Sequence, residues 1–445
     1  MSYRSTLRTV LDELEYALGA QIVISSKFLK VRSRKVIPFR LTPEGPVGPR
    51  LYVRVKRQVP FTFAEREFAT AVVNGFTGLW GEIENGGNAS ERQEVAIRVA
   101  TMDIAVASYL SQGRSMFKNI ETLLSWFKEL CFKKYEGEQV KTGVFVGNNS
   151  FPHVKRSRTD GVQFETVQLD SVPINRKLLN DVACHRFVDG ISACYVADSN
   201  LNLKGYFAVH ENKLDIFERL SGTTIEKLGN SLNADTNAGF YFYIGITTCG
   251  DIEIVLPSSN VRIMYRGGRW LFFDSTSLTN AIYFDEDENL SMQDDFAWKI
   301  LYGISKIRKG AALLRLTEPN NVLKDRVLCA GHISISKIFD SLREAVQEPE
   351  LSFLALTGEL QRILLTDGLT VVDRKFDKLL DCNMIVNTAS AEGDEGEERK
   401  DSVSGGGRTT AVRAASKFGI GIKVSEDGPI SIFRDGEEAP FYTFG

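Results

Sequence analysis

The segment Leu364–Phe376, LLTDGLTVVDRKF, decides how the C-terminal part of this chain is interpreted. Its Asp-Gly pair, Asp367 and Gly368, predicts a turn between the apolar end of a helix and a Val-rich strand. Asp and Gly are common in tight turns for conformational reasons alone. An aspartate at the start of a strand also presents a hard carboxylate oxygen, the ligand type that Mg²⁺ and Mn²⁺ prefer. The surrounding sequence has to distinguish a plain turn from a ligand site.

The composition is that of an ordinary globular protein. The chain has 445 residues, of which 43% are hydrophobic and 25% charged, with a net charge of −3. These values favour two or three domains and give no strong signal for nucleic-acid binding. No segment reaches the roughly 18 consecutive apolar residues of a membrane-spanning helix. The six cysteines are scattered and the four histidines lack paired spacing, which disfavours a zinc site and predicts a cytoplasmic protein with reduced thiols.

The periodicity of the apolar residues predicts a mixed α/β (α+β) fold in three regions. Residues 1–140 form a helix-rich α/β region, in which Thr62 is a predicted helix N-cap. Residues 141–290 form a strand-rich middle domain. Residues 291–445 form a C-terminal domain, predicted to be a mixed sheet flanked by helices.

The middle domain carries a pattern that also occurs in the C-terminal domain. Val188–Val209 and Thr366–Val386 share an outline of an Asp-Gly turn, a strand, a polar turn and a second strand. The segments SSNVRIMYRGGRW and EDGPISIFRDGEE show a shorter similarity. A duplicated domain and an independent convergence of hairpins both account for these patterns. A degenerate repeat within residues 141–290 is therefore a hypothesis.

A second group of residues suits an anion. The glycines Gly405–Gly407 lead into a predicted helix that begins at Arg408. A Gly-rich stretch that opens a helix exposes backbone N–H groups and the positive end of the helix dipole. Arg408 adds a permanently charged, bidentate donor for phosphate. Thr409 and Thr410 supply hydroxyls, and Arg413 lies on the same helix. Taken alone, the same pattern is also that of a linker running into a helix.

The order of three motifs resembles that of the diadenylate cyclase (DAC) domain, the module that makes cyclic di-AMP from two ATP. That family has an Asp-Gly-Ala turn before a strand, an Arg-His-Arg motif opening a helix and a later strand ending in Ser-Glu-Glu-Thr-Gly. This chain has Asp367-Gly368-Leu369, Arg408-Thr409-Thr410 and Ser425-Glu426-Asp427-Gly428 at the corresponding places. The resemblance runs from Asp294 to Phe433 and includes the upstream segment ISKIRKGAALLRL, where Gly310 is the predicted helix C-cap.

The resemblance implies a role for each of these residues. Asp367 corresponds to the metal ligand that, with Mg²⁺ or Mn²⁺, activates the attacking hydroxyl. The positions that correspond to nucleotide contacts are Gly368, Leu369, Met384, Gly407, Arg408, Thr409, Thr410, Arg413, Ser425 and Glu426. Met384 corresponds to an apolar contact with the base. Active sites of the family form between two domains face to face, which implies a homodimer or a higher homo-oligomer.

The chain departs from the family at the phosphate motif. Thr409 stands in place of His, Thr410 in place of the second Arg, and Leu369 in place of Ala. A lost cation removes electrostatic stabilisation of the transition state, and a lost imidazole removes a proton carrier. The favoured interpretation is a sensor of ATP or of a cyclic or linear dinucleotide in bacterial signalling or defence, coupled to a protein partner through residues 1–290. The alternatives are an active diadenylate cyclase and an interaction scaffold without a ligand.

Overall fold

The chain is organised in two compact units. A computed structural model describes residues 3–27, 33–41, 50–84, 91–147, 156–159, 162–181, 184, 187–190, 192–210, 225, 239–257, 259–284, 295–317, 328–330, 363–365, 367–376, 379–386 and 407–445. The first unit comprises the described residues up to Ser277, and the second comprises those from Leu278 to Gly445. The predicted boundary at residue 140 lies inside the first unit, whereas the predicted boundary at residue 290 lies shortly after the start of the second.

Helices and strands are interspersed along the chain. The described helices are α1 (Tyr3–Leu18), α2 (Phe63–Glu84), α3 (Glu91–Ser111), α4 (Phe117–Leu130), α5 (Arg176–Leu179), α6 (Ser275–Ile282), α7 (Asp295–Lys306) and α8 (Gly407–Ala415), and Ser416–Phe418 forms a 3₁₀ turn. The described strands are β1 (Gln21–Ser25), β2 (Val36–Leu41), β3 (Leu51–Lys56), β4 (Lys134–Tyr135), β5 (Glu138–Gln139), β6 (Gly143–Gly147), β7 (Arg156–Thr159), β8 (Val162–Pro173), β9 (Ala193–Asp198), β10 (Asn202–His210), β11 (Phe240–Ile246), β12 (Ile252–Val255), β13 (Val261–Arg266), β14 (Arg269–Asp274), β15 (Ala311–Leu316), β16 (Leu328–Ala330), β17 (Leu369–Val372), β18 (Leu379–Val386), β19 (Gly419–Val424), β20 (Ile430–Phe433) and β21 (Tyr442–Phe444). The predicted mixed α/β class is confirmed.

Helix α1 shows how the sequence builds the first unit. Its residues Leu7, Leu11, Leu14 and Leu18 recur at helical spacing and are at most 2% exposed, so they form one apolar face. That face packs against α2, α3 and β14, and α1 also contacts β1 of the small sheet β1-β3-β2. The helix therefore joins the N-terminal helices to the larger sheet of the same unit.

Helix α2 begins with a capping box, which confirms the prediction for Thr62. The Thr62 N–H donates to Glu65 Oε2 (2.8 Å), and the Glu65 N–H donates to the Thr62 hydroxyl (3.2 Å). This reciprocal pair satisfies two backbone donors that the first helical turn leaves open. The Glu65 side chain is 1% exposed and forms an ion pair with Arg57 (2.5 Å). The start of α2 is therefore tied to the interior of the unit.

The first unit contains a nine-stranded sheet in the order β14-β13-β12-β11-β6-β9-β10-β8-β7. Strands β6 and β9 at its centre are parallel. Each other neighbouring pair in this sheet is antiparallel. The predicted strand-rich character of the middle of the chain is thus confirmed, although its sheet belongs to the same unit as the N-terminal helices.

The second unit is built on a seven-stranded sheet in the order β16-β18-β17-β15-β19-β20-β21. Strands β15 and β17 are parallel, and the remaining pairs are antiparallel. Helix α8 packs against β15, β17, β18 and β19, and α7 packs against β19 and β20. The predicted mixed sheet flanked by helices is confirmed.

The central strand of this sheet is buried along its whole length. All six residues of β15, AALLRL, are buried, as expected for a strand whose two faces are both covered. Ala312, Leu314 and Leu316 share a core cluster with Val412 and Ala415 of α8. None of the helices in the described part of the chain combines the length and the apolar character that crossing a bilayer requires.

Candidate functional site

The three motifs singled out in the sequence meet at the guanidinium of Arg408. Arg408 Nη2 donates to Asp367 Oδ1 (2.9 Å), and Arg408 Nη1 donates to Glu426 Oε1 (2.7 Å). Arg408 lies in the first turn of α8, Asp367 lies two positions before β17, and Glu426 follows β19. Residues that are separated by up to 59 positions in the chain therefore form one cluster of a cation and two carboxylates.

The sheet topology explains why these residues converge. Strands β15 and β17 are parallel, so both begin at the same edge of the sheet. Strand β19 is antiparallel to β15 and therefore ends at that edge. Helix α8 leads back to the start of β19 at the opposite edge, so its N-terminus lies beside Asp367 and Glu426. The chain runs along α8 away from this edge and comes back along β19. The start of α8 therefore lies near the start of β17.

Gly310 makes the space in which the guanidinium lies. A Cβ atom built on Gly310 would collide with Arg408 Nη1 and would lie 2.9 Å from Arg408 Cζ and 3.0 Å from Glu426 Cγ. Gly310 immediately precedes β15. The prediction of Gly310 as a helix C-cap is wrong, because α7 ends at Lys306 and Arg308 adopts the left-handed conformation with φ of 53°.

A second cation, which the sequence did not single out, reaches the helix start. Lys423 Nζ donates to Thr409 Oγ1 (2.7 Å). Lys423 is a half-buried residue of β19, one position before its last residue. The hydroxyl of Thr409 is here the acceptor of a lysine on the adjacent strand. Two cations, Arg408 and Lys423, therefore lie against the first turn of α8.

The turn before β17 depends on its glycine. Gly368 has φ of 108°, and a Cβ at this position would lie 2.9 Å from the Cα and carbonyl carbon of Asn383, so a side chain would be strained and obstructed. Leu369 and Met384 are cross-strand partners and are 1% and 8% exposed. Both belong to the core cluster beneath α8. Their side chains therefore support the helix that carries Arg408.

Three further residues of α8 were predicted to contact a nucleotide: Gly407 and Thr410 in its first turn and Arg413 in its last. Gly407 is the first helical residue and is exposed, while Thr410 is half-buried. Gly405 and Gly406 lie outside the described residues. Arg413 is in the last turn of α8. Five positions separate it from Arg408, which is roughly 140° around the helix axis, so the two arginines lie on different faces.

Ser425 opens the tight turn that carries Glu426. The Ser425 N–H donates to the carbonyl of Pro429 (2.8 Å), and the Ser425 carbonyl accepts from the Gly428 N–H (2.9 Å). Gly428 has φ of 104°, which favours glycine. Its carbonyl accepts from the hydroxyl of Ser305 on α7. The turn is thus fixed at both ends, which holds the backbone of Glu426 while its side chain remains exposed.

The ion pairs at Arg408 are accessible to solvent. The side chain of Asp367 is 96% exposed, that of Glu426 72% and that of Arg408 30%. The hydrogen bond to Glu426 raises the pKa of Arg408 above its usual value, with a further contribution from Asp367 and an opposing one from burial. Exposed ion pairs of this kind contribute about 1 kcal/mol or less each. An incoming anion can therefore exchange with either carboxylate.

Asp367 and Glu426 could supply part of the ligand set of a divalent cation, but not all of it. In the part of the chain that the structure describes, no group of three or more His, Cys, Asp or Glu side chains is arranged to hold a metal. Mg²⁺ is commonly bound by one or two carboxylates together with phosphate oxygens and waters. Asp367 and Glu426 meet at one guanidinium, so they are the two carboxylates here that could supply such ligands.

Comparison with known proteins adds no assignment. Neither the models of protein families nor the curated proteins with which the sequence was compared gave a match. The site is therefore interpreted from the chemistry and the arrangement of its own residues.

Proposed function

We propose that the second unit binds a nucleotide through its phosphates at Arg408 and that the chain acts as a nucleotide sensor. The observation that carries this proposal is the convergence of Asp367, Arg408 and Glu426 from three distant segments on one exposed cluster. Their order along the chain is the one that resembles the diadenylate cyclase domain. The two carboxylates are 96% and 72% exposed, so an incoming phosphate can reach the guanidinium that they share.

The phosphate would bind at the start of α8. Arg408 provides a planar donor suited to bidentate contact with a phosphate. Lys423 supplies a second positive charge on the adjacent strand. The first turn of α8 has no acidic residue, so its backbone N–H groups and the helix dipole also favour an anion. These three contributions act on the same small region.

A divalent cation would join Asp367 and Glu426 when the phosphate takes their place on Arg408. The metal, Mg²⁺ or Mn²⁺, would neutralise phosphate charge that these two carboxylates would otherwise repel. The exchange keeps every charged group paired, because the guanidinium passes from carboxylate to phosphate and the carboxylates pass to the metal. Asp367 and Glu426 are the residues that would hold it.

We favour a nucleotide sensor over an active diadenylate cyclase because of the residues at the phosphate motif, Arg408-Thr409-Thr410. Thr409 has a hydroxyl bonded to Lys423 in place of an imidazole, so it offers no proton carrier near neutral pH. Arg413 points from a different face of α8 than Arg408 and does not replace the missing second arginine in the first turn. The motif residues retained, Asp367 and Arg408, are those that would hold the metal and the phosphate. We further propose that residues 1–290 couple this binding to a protein partner. The second unit would also associate with the second unit of another chain, forming a homodimer or a higher homo-oligomer.

The test is a thermal-shift panel with product analysis of the same samples. ATP, ADP, cyclic di-AMP and linear di-AMP are each added with and without Mg²⁺ or Mn²⁺ to the wild-type chain, Arg408→Ala and the surface control Lys375→Ala. We expect at least one nucleotide to raise Tm in the wild type and in Lys375→Ala but not in Arg408→Ala. Formation of cyclic di-AMP that Asp367→Ala abolishes would establish the cyclase instead. If none of the four nucleotides raises Tm, the proposal of nucleotide binding fails and an interaction scaffold without a ligand is the remaining interpretation.

A further inference from the structure

The sheets of the two units are built in the same way. In the first, β6 is parallel to β9 and antiparallel to β11; in the second, β15 is parallel to β17 and antiparallel to β19. Beyond β9 the first sheet continues with β10 and then β8, and beyond β17 the second sheet continues with β18 and then β16. On the other side follow β12 and β13, and β20 and β21. These seven strands occur in the same chain order in both sheets.

The helices before the central strands also correspond. Helix α4 precedes β6, and α7 precedes β15. Helix α4 packs against β11, and α7 packs against β19, which are the equivalent strands. A shared order of eight elements with the same senses of pairing is more than two independent hairpins would produce.

Two turns agree in detail. After β11, the Thr247 N–H donates to the Asp251 carbonyl (2.8 Å) and the Gly250 N–H to the Thr247 carbonyl (3.0 Å). After β19, Ser425, Gly428 and Pro429 make the same two bonds at 2.8 and 2.9 Å. The glycine has a positive φ in both turns, 81° and 104°.

The turn after the second parallel strand agrees as well. Leu201 N–H donates to the Asp198 carbonyl (2.9 Å), and Phe376 N–H donates to the Asp373 carbonyl (3.1 Å). Leu201 and Phe376 are both buried non-glycine residues in the left-handed conformation, with φ of 58° and 61°. Such residues are uncommon. The next strand pair then has a register shift in each sheet, between β9 and β10 and between β17 and β18.

Strand register fixes which residues are equivalent. Val144 pairs with Tyr195 and Ile244, as Leu313 pairs with Thr370 and Ile422. Extending these pairs gives the equivalences that concern the site. They are Ser192 with Asp367, Gly245 with Lys423, Thr248 with Glu426 and Tyr243 with Gly421. The Asp-Gly turn at 189–190 is therefore displaced by three positions from 367–368, which corrects the alignment predicted from the sequence.

The first unit has uncharged residues at the equivalents of three of the four charged positions of the site, the fourth being that of Arg408. The positions of Asp367, Glu426 and Lys423 are taken by Ser192, Thr248 and Gly245. The carboxylate of Asp189 nearby accepts from the backbone N–H groups of Ser192 (2.7 Å) and Ala193 (2.9 Å), so it serves its own turn. The counterpart of α8 lies outside the described residues.

The ring of Tyr243 fills the space over this part of the first sheet. Cβ atoms built on Gly143 and Gly245 would lie 2.6 Å and 2.5 Å from ring carbons of Tyr243. Tyr243 is 3% exposed, and its hydroxyl donates to the Gly190 carbonyl. In the second unit the residue equivalent to Tyr243 is Gly421. Because Gly421 has no side chain, the backbone of α8 can approach the sheet there.

We infer that the chain contains two copies of one α/β unit and that only the second copy retains a nucleotide site, so each chain binds one nucleotide. This inference rests on the proposed function. Tyr243 fills the first copy at the place where the second holds Lys423 and the α8 backbone at Val412. The first copy is then the part of the chain free to serve as a scaffold or as the receiver of the signal.

Isothermal titration with ATP and Mg²⁺ tests the inference, using the full-length wild type, Arg408→Ala, and the equivalent pair Glu426→Ala and Thr248→Ala. We expect one ATP per chain in the wild type and in Thr248→Ala, no binding in Arg408→Ala and a Kd at least twofold higher in Glu426→Ala. Two ATP per chain, or binding that survives Arg408→Ala, would overturn the inference while leaving a nucleotide-binding function intact. The same titration with ADP, cyclic di-AMP and linear di-AMP completes the test, and no binding of any of the four nucleotides to the wild type would overturn the proposed function and the stoichiometry together.

Discussion

Gly310 and Arg408 are complementary, because the missing side chain at Gly310 leaves the volume that the Arg408 guanidinium occupies. The guanidinium carbon lies 2.9 Å from where a Cβ of residue 310 would be. The glycine therefore sets the position from which Arg408 reaches both Asp367 and Glu426. The geometry of the proposed phosphate site depends on a residue that carries no functional group.

Gly310→Ala is expected to weaken nucleotide binding without unfolding the second unit. The added methyl group meets the flexible end of Arg408, which can move aside, so the free energy of unfolding should change by about 1 kcal/mol or less. The displaced guanidinium loses its alignment, and we expect Kd for the nucleotide to rise about tenfold, equivalent to about 1.4 kcal/mol. Titration and chemical denaturation of the same variant measure the two effects.

The control for this substitution is Gly78→Ala in α2, where an added Cβ meets nothing within 4 Å. It should leave Kd unchanged. An unaltered Kd in Gly310→Ala would show that the position of the guanidinium is not set by this glycine.

Glu426→Gln should have opposite effects with and without a divalent metal. Without metal, Glu426 competes with phosphate for Arg408, so removing its charge should strengthen ATP binding about two- to fivefold, from an ion pair of about 0.5–1 kcal/mol. With Mg²⁺, the same carboxylate is a proposed ligand, so the substitution should weaken binding. Glu437→Gln, another exposed carboxylate of this unit, should do neither. Equal effects in the two conditions would argue against an exchange of the carboxylates from arginine to metal.

Glu65→Ala should be strongly destabilising. Glu65 accepts from Arg57 Nη1 (2.7 Å), from Arg57 Nη2 (2.5 Å) and from the Ser277 hydroxyl (2.9 Å). Removing it deprives a buried guanidinium of its counter-charge, which costs about 3–5 kcal/mol. Urea denaturation monitored by circular dichroism measures the loss. Glu67→Ala, on an exposed position of the same helix, should change stability by about 0.5 kcal/mol or less, and a similar loss in both variants would contradict the role of the buried pair.

Asp198 should stabilise the first unit in a pH-dependent manner. Burial by itself would raise its pKa, but hydrogen bonds from Asn202 and Lys204 and from the backbone of Asn200 lower it overall. A carboxylate with a depressed pKa stabilises the fold above its unfolded pKa of about 3.9, and this contribution disappears as the pH falls through the lower folded value. Asp198→Asn should therefore lower the free energy of unfolding at pH 7 by about 1–3 kcal/mol.

The difference between the wild type and Asp198→Asn should shrink as the pH is lowered below the ordinary aspartate pKa. Denaturation curves between neutral and acidic pH measure this trend. Asp170→Asn, an exposed aspartate of β8, serves as the matched variant and should show neither effect. A difference that stays constant with pH would assign the loss to packing.

Local signals in the sequence were sufficient where the structure they specify is local. Thr62 before a helical pattern predicts an N-cap, and its hydroxyl accepts from the Glu65 N–H as that role requires. The mixed sheet of the second unit follows in a similar way from buried apolar strands such as β15, which alternate with helices. These patterns need no knowledge of which strands become neighbours.

The site could be predicted only in part, because its completion depends on strand order. Asp367, Arg408 and Glu426 were selected together because their order resembles a known family. Lys423 was missed, since a sequence shows that residues of a strand alternate but not which face lies beneath a helix. Gly310 was interpreted as the end of a helix, whereas Arg308 takes the left-handed conformation and Gly310 makes room for a side chain 98 positions away.

The contrast between Gly421 and Tyr243 has a consequence for how the chain folds. Tandem copies of one unit are prone to exchanging equivalent elements during folding. Helix α8 lies close to its own sheet, because a Cβ on Gly421 would be only 2.6 Å from the Val412 carbonyl oxygen. The equivalent position of the other sheet holds the buried ring of Tyr243, which excludes a helix backbone at that distance. This one difference therefore favours packing of α8 on its own sheet over an exchange of equivalent elements between the two units.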